Sequence, residues 1–346
     1  MAHSKITIKE LAEKMQLSIS TISRALHDHP SIGKKTTGEV KKLAKKLGYF
    51  PNAIASNLRR NKSQTIGVIA PRIDIYFHSH VISGIEEVAY KKGYNVTIFQ
   101  SHDSLEREIR ITQILQSKMV DGVVACIGLE TTDCAHFAKF NELNVPLVFY
   151  DRVSKNFDVS KVVIDDFEAA FKATEHLIEL GRKQIFHIAG PQSTDIFKAR
   201  QEGYKAALAK HNIMFSHKMI RHTTELSYEE GASCAKKILT SGMLPDGIFC
   251  SNDYTAIGAI QVFKKAGLTI PEDIAVVGFS NYPISKILDP TLTTIDDRAF
   301  EMGQAAAKLI IRQIEDHDNT IATETIVLKT NLVVRDSTTT RKDTGL

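Results

Sequence analysis

Short apolar runs alternate with amphipathic helical runs from residue 64 onward, and this alternation limits the fold to a narrow class. The predicted strands are Thr65–Ala70, Asn95–Gln100, Gly122–Ile127, Leu147–Tyr150, Val162–Ile164, Gln184–Ala189, Met219–His222, Gly247–Ser251 and Ile274–Gly278. The predicted helices are Val81–Lys92, Glu106–Ser117, Phe167–Leu180, Lys198–His211, Tyr228–Ser241, Asp253–Ala266 and Arg298–Glu315. The order predicts parallel sheets with helices on both faces.

Polar turns follow several of these strands. They include Ser101–Asp103, Tyr150–Arg152, Ser251–Asp253 and Gly278–Asn281. Ligands of open α/β sheets bind beyond the carboxyl ends of the strands. The turns therefore predict a ligand site there.

Charge is unevenly divided along the 346 residues, a length that suggests two or three domains. Residues 1–63 carry 13 Lys and Arg against 4 Asp and Glu, whereas the remainder carries 31 against 36. A small basic unit on a mildly acidic body suggests a polyanionic partner. A solvated lysine-rich face would look the same. A membrane surface is disfavoured because the unit lacks a large apolar interfacial face.

The basic unit has the pattern of three short helices. Thr7 and Glu10 have capping-box spacing before the first helix, and Ser18 is an N-cap candidate for the second. A third helix is predicted from Lys35 to Leu47, ended by Gly48. Two short helices joined by two or three residues are typical of a helix-turn-helix, whose second helix enters the major groove.

Four side chains on the outer face of the second helix could then read base edges. Ser20 and Thr21 can donate or accept hydrogen bonds, Arg24 can reach a guanine or a phosphate, and Ile19 can touch a thymine methyl. Each could equally be an ordinary exposed helix residue.

The segments Thr7–Ala12, Leu17–Leu26 and Leu47–Asn52 together resemble the headpiece of the LacI/GalR family of bacterial transcription regulators. Pro51–Arg59 resembles the hinge helix of that family, and Thr65–Pro71 its entry into the effector domain. The resemblance implies these DNA contacts: Thr7, Ser18, Ile19, Ser20, Thr21, Ser23, Arg24, Asn52, Ala55, Leu58 and Arg59. The family often has glycine where this chain has Gln16, and serine where it has Gly33.

The hinge segment is too short to be a stable helix alone in water. Leu58 is an apolar side chain in a basic setting and could enter the minor groove and bend the duplex. The resemblance implies this wedge role for Leu58, with paired hinge helices in a dimer. A plain linker, with Leu58 packed on the body, is the alternative.

The body resembles the periplasmic-binding-protein type I-like effector domain of the same family. The implied organisation is an all-α headpiece at 1–50, a hinge and linker at 51–63, a two-lobed α/β domain at 64–338 and a tail at 339–346. Chain crossings are predicted near 160–163, 290–294 and 320–325. The N-lobe would then span about 64–161 and 295–321, and the C-lobe about 164–290 and 325–338.

The resemblance also implies effector contacts. They are Arg72, Asp74, Phe77, His78, Ser101, Asp151, Arg200, Leu226, Asn252, Asp253 and Ser280. A structural inter-lobe ion pair is the alternative for Arg200, and a structural role the alternative for Asp151. Where the family commonly has Gly-Phe-Asp-Asp, Ser280 replaces the acid; where some members stack an aromatic ring, this chain has Leu226. Arg72, Arg152 and Arg200 could favour an acidic or phosphorylated sugar.

Other classes of protein are disfavoured by the sequence. Phosphate loops, HExxH and GxSxG are absent, and the four cysteines form no CxxC pair, so we expect no enzyme activity, no cofactor and no metal site. Without a signal peptide or an apolar span, a cytoplasmic location and no membrane partner are expected. A transport solute-binding protein would need export and no basic unit, and a sugar-modifying enzyme would need a placed acid, base or nucleophile.

We therefore expect a homodimeric repressor that binds a double-stranded operator and a small effector, a sugar or sugar derivative.

Overall fold

The computed structural model describes residues 6–49, 63–316 and 321–339, and the chain divides into two compact units, 1–63 and 64–346. Asn52, Ala55, Leu58 and Arg59, which the sequence assigned to DNA contact, lie outside the described residues.

The first unit is three short helices around a small apolar core. They are α1 (Ile8–Met15), α2 (Ile19–Leu26) and α3 (Lys34–Lys46). The core is built from the side chains that the helical spacing turned inward, namely Leu11, Ala12, Ile22, Ala25, Val40 and Ala44.

The helix ends have the local chemistry that the sequence predicted. Thr7 accepts a hydrogen bond from the backbone N–H of Glu10, and the Glu10 carboxylate accepts one from the N–H of Thr7. Ser18 caps α2 by accepting from the Thr21 N–H. Gly33 caps α3 without a side chain. Gln16, in the turn, has a left-handed φ of 54°.

The second unit contains two six-stranded sheets. The first sheet has the order β11-β5-β4-β3-β1-β2, all parallel. Its strands are β1 (Thr65–Ala70), β2 (Asn95–Gln100), β3 (Gly122–Ala125), β4 (Leu147–Tyr150), β5 (Ser160–Ile164) and β11 (Thr325–Leu328). Its helices are α4 (Tyr76–Lys91), α5 (Leu105–Ser117), α6 (Ala138–Glu142) and α11 (Ala299–Glu315). This sheet and its helices form the N-lobe.

The second sheet has the order β12-β10-β9-β8-β6-β7, parallel except for β12. Its strands are β6 (Ile185–Ala189), β7 (Ile220–His222), β8 (Gly247–Cys250), β9 (Ala275–Phe279), β10 (Thr293–Asp296) and β12 (Asn331–Val333). Its helices are α7 (Asp166–Glu179), α8 (Asp195–Lys210), α9 (Tyr228–Leu239) and α10 (Asp253–Lys265). This sheet and its helices form the C-lobe.

The chain passes between the lobes three times, and each crossing lies a few residues later than the sequence placed it. All of β5, to Ile164, belongs to the N-lobe sheet, and β10, to Asp296, belongs to the C-lobe sheet. The segment Thr325–Leu328 was assigned to the C-lobe, but it pairs with β5 in the N-lobe. The crossings were placed from the resemblance alone, because β10, β11 and β12 were not recognised as strands in the sequence.

Candidate functional site

A cluster of hydroxyl groups marks the beginning of α2 on the surface of the first unit. The Ser18 Oγ lies 2.8 Å from both Ser20 Oγ and Thr21 Oγ1. Ser20 and Arg24 are exposed, Thr21 and Ser23 are half-buried, and Ile19 leaves 41% of its surface exposed despite being apolar. The structure thus presents the predicted base-reading side chains on one accessible helix end, as a recognition helix requires.

Thr7 has a more local role in the structure. Its hydroxyl donates to the Glu10 carboxylate at 3.0 Å while also accepting from the Glu10 N–H. The exposed hydroxyl is therefore engaged in its own capping box, and its assignment as a DNA contact stays a prediction.

In the second unit, one of the eleven predicted effector residues, Asp151, lines a cavity between the two lobes, and the other ten are not in its lining. The cavity has a volume of about 590 Å³. Its lining includes Asp151, Arg152, Asp165, Asp166, Phe167 and Val327. The lobes also touch through Tyr76 and Tyr282, whose ring centroids are 5.4 Å apart. Another cavity, of about 550 Å³, lies between α4 and α11 on the N-lobe, away from these residues.

Arg200 is buried in the C-lobe with most of its guanidinium engaged. Its Nε donates to Asp166 at 2.7 Å, and its Nη1 donates to the Ser251 carbonyl at 2.8 Å. The guanidinium also lies 3.6 Å from the centroid of the Phe279 ring. Because Asp166 begins a C-lobe helix, the ion pair lies within one lobe, and the inter-lobe alternative is wrong.

The other two arginines of this region are also paired. Arg152 is buried and donates to Asp103 at 2.7 Å. Arg72 is more exposed and donates through Nε and Nη2 to Asp74, the shorter contact being 2.8 Å. Each guanidinium of the set thus has its own carboxylate.

Two further carboxylates, those of Asp151 and Asp297, are buried here and form no ion pair within the described residues, although the charge of Arg200 acts on both. Asp151 is 9% exposed, and the Cys126 thiol donates to it at 3.8 Å. Asp297 is 3% exposed. Burial raises the pKa of Asp151 and raises the pKa of Asp297 well above the ordinary value, with Asp151 adding to the effect on Asp297.

The sequence did not single out Asp297. It follows β10, whose run Thr293–Asp296 is too polar to be recognised as a strand by its hydropathy. The signal available in the sequence was an acidic residue placed directly after the carboxyl end of a strand, where ligands of parallel sheets bind. An acid is therefore present directly after the next strand, although the family's acid is replaced at Ser280.

Three buried polar atoms in the N-lobe have no hydrogen-bond partner among the described residues. They are His78 Nδ1, Ser101 Oγ and the Tyr150 hydroxyl. His78 and Tyr150 contact each other edge to face, with ring centroids 6.3 Å apart. Burial lowers the pKa of His78 well below its usual value, so the ring is neutral. Phe77 and His78 lie on the first turn of α4, which begins five residues earlier than predicted.

Backbone strain also concentrates in this region. Asp151, Leu226 and Ser280 have φ values of 57°, 60° and 97°, in the half of conformational space that side chains other than glycine disfavour. Such strain costs free energy and clusters at functional sites.

Two predicted effector residues hold the C-lobe together instead. Asp253 is fully buried, and its carboxylate accepts from the Tyr282 N–H, the Ser285 hydroxyl and the Thr294 hydroxyl at 2.6–2.7 Å. Asn252 caps α10 and donates to the Leu226 carbonyl. These hydrogen bonds satisfy the Asp253 carboxylate within the C-lobe. The surroundings of Asp253 therefore do not support its predicted role as an effector contact.

Comparison with known proteins agrees with both units. Residues 7–52 match the family described as bacterial regulatory proteins, lacI family, and residues 63–332 match the periplasmic binding proteins and sugar binding domain of LacI family. The chain belongs to the LacI family. It is a sequence-specific DNA-binding regulator of transcription and not an enzyme, with the helical headpiece and two-sheet domain that the resemblance implied.

Individual LacI-family members resemble the chain over nearly all of its length. It is 33% identical to the NTD biosynthesis operon regulator NtdR of Bacillus subtilis, covering 96% of this chain and 99% of the relative. It is 32% identical to the transcriptional repressor CytR of Escherichia coli, covering 96% of each. A crystal structure of the lac repressor dimer bound to operator and the anti-inducer ONPF shares the fold, with a TM-score of 0.87 over 97% of this chain and 99% of that chain, at 24% identity. Within the described residues of this LacI-family chain, no helix is both long and apolar enough to span a membrane.

Proposed function

We propose that this LacI-family protein is a homodimeric repressor whose affinity for a near-palindromic operator depends on a sugar derivative bound between its lobes. The observation that carries the proposal is the pairing of two features in one chain. One is an exposed hydroxyl and arginine surface at the beginning of α2, and the other is a polar, strained cleft where the lobes meet.

The headpiece supports the DNA half of the proposal. Ser20, Thr21 and Arg24 extend from the first two turns of α2, where side chains of a recognition helix reach base edges. The positive charge of residues 1–63 supplies phosphate contacts that position the helix. Because an operator lies in the cytoplasm of a bacterium, the protein works there.

The α/β domain supports the regulatory half. The proposed ligand site has residues from both lobes. A bound molecule favours one arrangement of the lobes over another only if its contacts differ between the two arrangements. Binding in the cleft and binding to DNA are then coupled by the same free energy in both directions. Arg72, Asp74, Phe77, His78, Ser101, Asp151, Arg200, Leu226, Asn252 and Ser280 remain the proposed lining or support of that site.

Selection from a pool of random duplexes tests the DNA half directly. We expect a near-palindromic sequence to be enriched, as a two-fold symmetric dimer requires. Arg24→Gln should weaken binding to that duplex by about tenfold or more, the equivalent of one lost base contact. Lys236→Gln removes the same charge from an exposed site on α9 of the C-lobe and should have no effect. Enrichment of no sequence, or equal binding by both variants, would contradict the proposal.

A further inference from the structure

Both lobes contribute apolar side chains to the lining of the cavity between them. Val153 and Val327 come from the N-lobe, and Phe167 and Ile196 come from the C-lobe. Phe167 leaves 42% of its surface exposed and Val327 leaves 56%, so neither is buried in a core. An apolar group of a ligand placed in the cavity would remove these surfaces from water, which is favourable.

The buried charged side chains of the lining already have protein partners. Arg152 pairs with Asp103 at 2.7 Å, and Asp166 pairs with Arg200 at 2.7 Å. The charges of Arg152 and Arg200 also act on Asp151 and favour its ionised form. The guanidinium groups are therefore committed to carboxylates of the protein, and they leave no free cation for an acidic ligand.

The exposed charges of the lining are compensated as well. Lys155 of the N-lobe pairs with Asp195 of the C-lobe at 3.1 Å. Asp165 accepts a hydrogen bond from the Glu168 N–H at the beginning of α7, where the positive end of the helix dipole favours an anion. A charged ligand would lose hydration in this cavity without meeting an uncompensated protein charge, and an uncharged ligand avoids that cost.

One buried hydroxyl of the lining has no partner. Thr194 occupies the N-cap position of α8, but its side chain makes no capping hydrogen bond. Its Oγ1 is buried and has no hydrogen-bond partner among the described residues. An unpaired buried hydroxyl costs free energy, and a ligand hydroxyl can supply the missing hydrogen bond by donating or accepting. Thr132, Asn156 and Ser193 add exposed polar groups to the same lining.

We propose that the effector of this protein is an uncharged glycoside, a sugar with a hydrocarbon group on its anomeric oxygen. The hydrocarbon group packs against Phe167, Ile196 and Val327, and a sugar hydroxyl binds Thr194. A cavity of about 590 Å³ has room for both parts, since pockets of roughly 300–1,000 Å³ hold drug-sized ligands. The inference rests on the proposed function, because it assigns the ligand of that cleft. It replaces the acidic or phosphorylated sugar that three arginines suggested, since each arginine has a carboxylate partner.

Matched derivatives of the same hexoses test the ligand class on the full chain. Glucose, galactose and mannose are each compared by thermal shift as the free hexose, the phenyl glycoside, the 2-amino sugar and the 6-phosphate, all at equal millimolar concentration. We expect at least one phenyl glycoside to raise Tm by about 3 °C or more, and by more than the other three forms of its hexose. An equal or larger shift with a free, amino or phosphorylated form, or no shift with any phenyl glycoside, would overturn the assignment. Phenol carries the ring without the sugar, and an equal shift with phenol would overturn the sugar part of the proposal.

Phe167→Ala tests the apolar contact. It should weaken binding of the most stabilising phenyl glycoside by about tenfold, measured by titration calorimetry, because apolar surface against the phenyl group is lost. Leu180→Ala removes an apolar side chain of similar exposure from the other end of α7, outside the lining, and should leave the affinity unchanged. The ligand-free Tm of each variant shows that it is folded. Unchanged affinity in folded Phe167→Ala would refute the contact.

Thr194→Val replaces the unpaired hydroxyl with a methyl group of similar size. The ligand-free Tm should not fall, because this hydroxyl makes no hydrogen bond within the described residues, whereas the affinity for the same glycoside should fall by about tenfold. Thr240→Val removes an exposed hydroxyl at the C-cap of α9, outside the lining, and should leave the affinity unchanged. Unchanged affinity in Thr194→Val, whatever its Tm, would show that the hydroxyl does not bind the ligand.

Failure of this inference is distinguishable from failure of the proposed function. A chain that binds its selected duplex but prefers a free or charged sugar keeps the regulatory function and loses the glycoside assignment. A chain that binds no duplex loses the proposed function, whichever sugar stabilises it.

Discussion

Gln16 adopts a backbone conformation that its own side chain disfavours. Its φ of 54° lies in the left-handed region, where a residue other than glycine costs about 1 kcal/mol. Gln16→Gly should therefore raise the free energy of unfolding of the headpiece by about 0.5–1 kcal/mol. Thermal unfolding followed by circular dichroism would measure the change. Gly48 has a similar φ of 64°, so Gly48→Gln should lower the free energy of unfolding by about as much. A loss of stability in Gln16→Gly would show that the left-handed conformation of Gln16 does not destabilise the headpiece.

His187 is a buried histidine whose charge state links stability to pH. It stacks on Phe249 at 4.7 Å and on Tyr204 at 5.2 Å, and its Nδ1 donates to the Phe249 carbonyl. Burial lowers the pKa of His187 to about 3, from 6.5 in the unfolded chain. Between these values the unfolded state binds a proton that the folded state does not. The stability is therefore fully present above pH 6.5 and falls as the pH drops below it.

Comparing wild type with His187→Phe isolates this contribution. From pH 6 to pH 5 the wild type should lose about 1.4 kcal/mol more than the variant, which has no proton to bind at this site. The variant should be less stable at pH 7, because the Phe249 carbonyl loses its donor. Thermal or denaturant unfolding of the α/β domain across this pH range measures both effects. Parallel pH profiles for the two proteins would show that His187 is not the responsible group.

The site residues that sequence reasoning misjudged have partners far along the chain. Asp103 and Arg152 are 49 residues apart, and Asp166 and Arg200 are 34 apart. The sequence predicted that arginines would lie at the cleft. Only the fold shows that Asp103 and Asp166 already pair with the guanidinium groups of Arg152 and Arg200. Asp297 was missed for a related reason, since its strand is defined by pairing with β9 and β12.

Helices and most strands were predictable because the hydropathy pattern of each segment carries its own signal. The strands β1, β2 and β4 have the predicted bounds, and most helices differ by one to three residues. The strands β11 and β12 could not be predicted in this way. They are three or four residues long, only partly buried and at sheet edges, so their strand conformation depends on partners from distant sequence.

Glycines allow α4 and α11 to pack backbone against backbone. A Cβ atom on Gly303 would lie 2.0 Å from the Val81 carbonyl oxygen, and one on Gly84 would lie 2.1 Å from the Phe300 oxygen. Gly303→Ala must therefore separate the helices, and it should lower the free energy of unfolding by about 1–3 kcal/mol.

A matched substitution separates packing from helix propensity. Gly38 lies within α3 and has no neighbour within 4 Å of an added Cβ, so Gly38→Ala should stabilise the headpiece by up to about 1 kcal/mol. Thermal unfolding of both variants measures the contrast. Equal stabilisation by the two alanines would show that the α4–α11 contact tolerates a wider spacing.

Three chain crossings connect the two lobes of the α/β domain. Each lobe has a complete sheet, and the lobes are joined through the segments that follow β5, β10 and β11. The strained residues Asp151 and Ser280 directly follow β4 and β9, one strand from each sheet. Covalent continuity in three places permits the lobes to change their angle without separating, which is how hinge motions around ligands operate.

The division of charge over the whole chain makes a prediction for DNA binding. Residues 1–63 carry a net charge of +9 and the remaining residues −5, so phosphate contacts come from the headpiece and not from the larger domain. Each phosphate contact releases counterions, and two headpieces of a dimer with at least six contacts give a slope of log affinity against log salt of about −5 or steeper. Fluorescence anisotropy with the selected duplex at several salt concentrations measures the slope. Lys236→Gln should leave it unchanged, because that charge lies on the acidic body. A slope near zero would mean that the basic headpiece does not bind the phosphate backbone, and the assignment of this unit to DNA would fall.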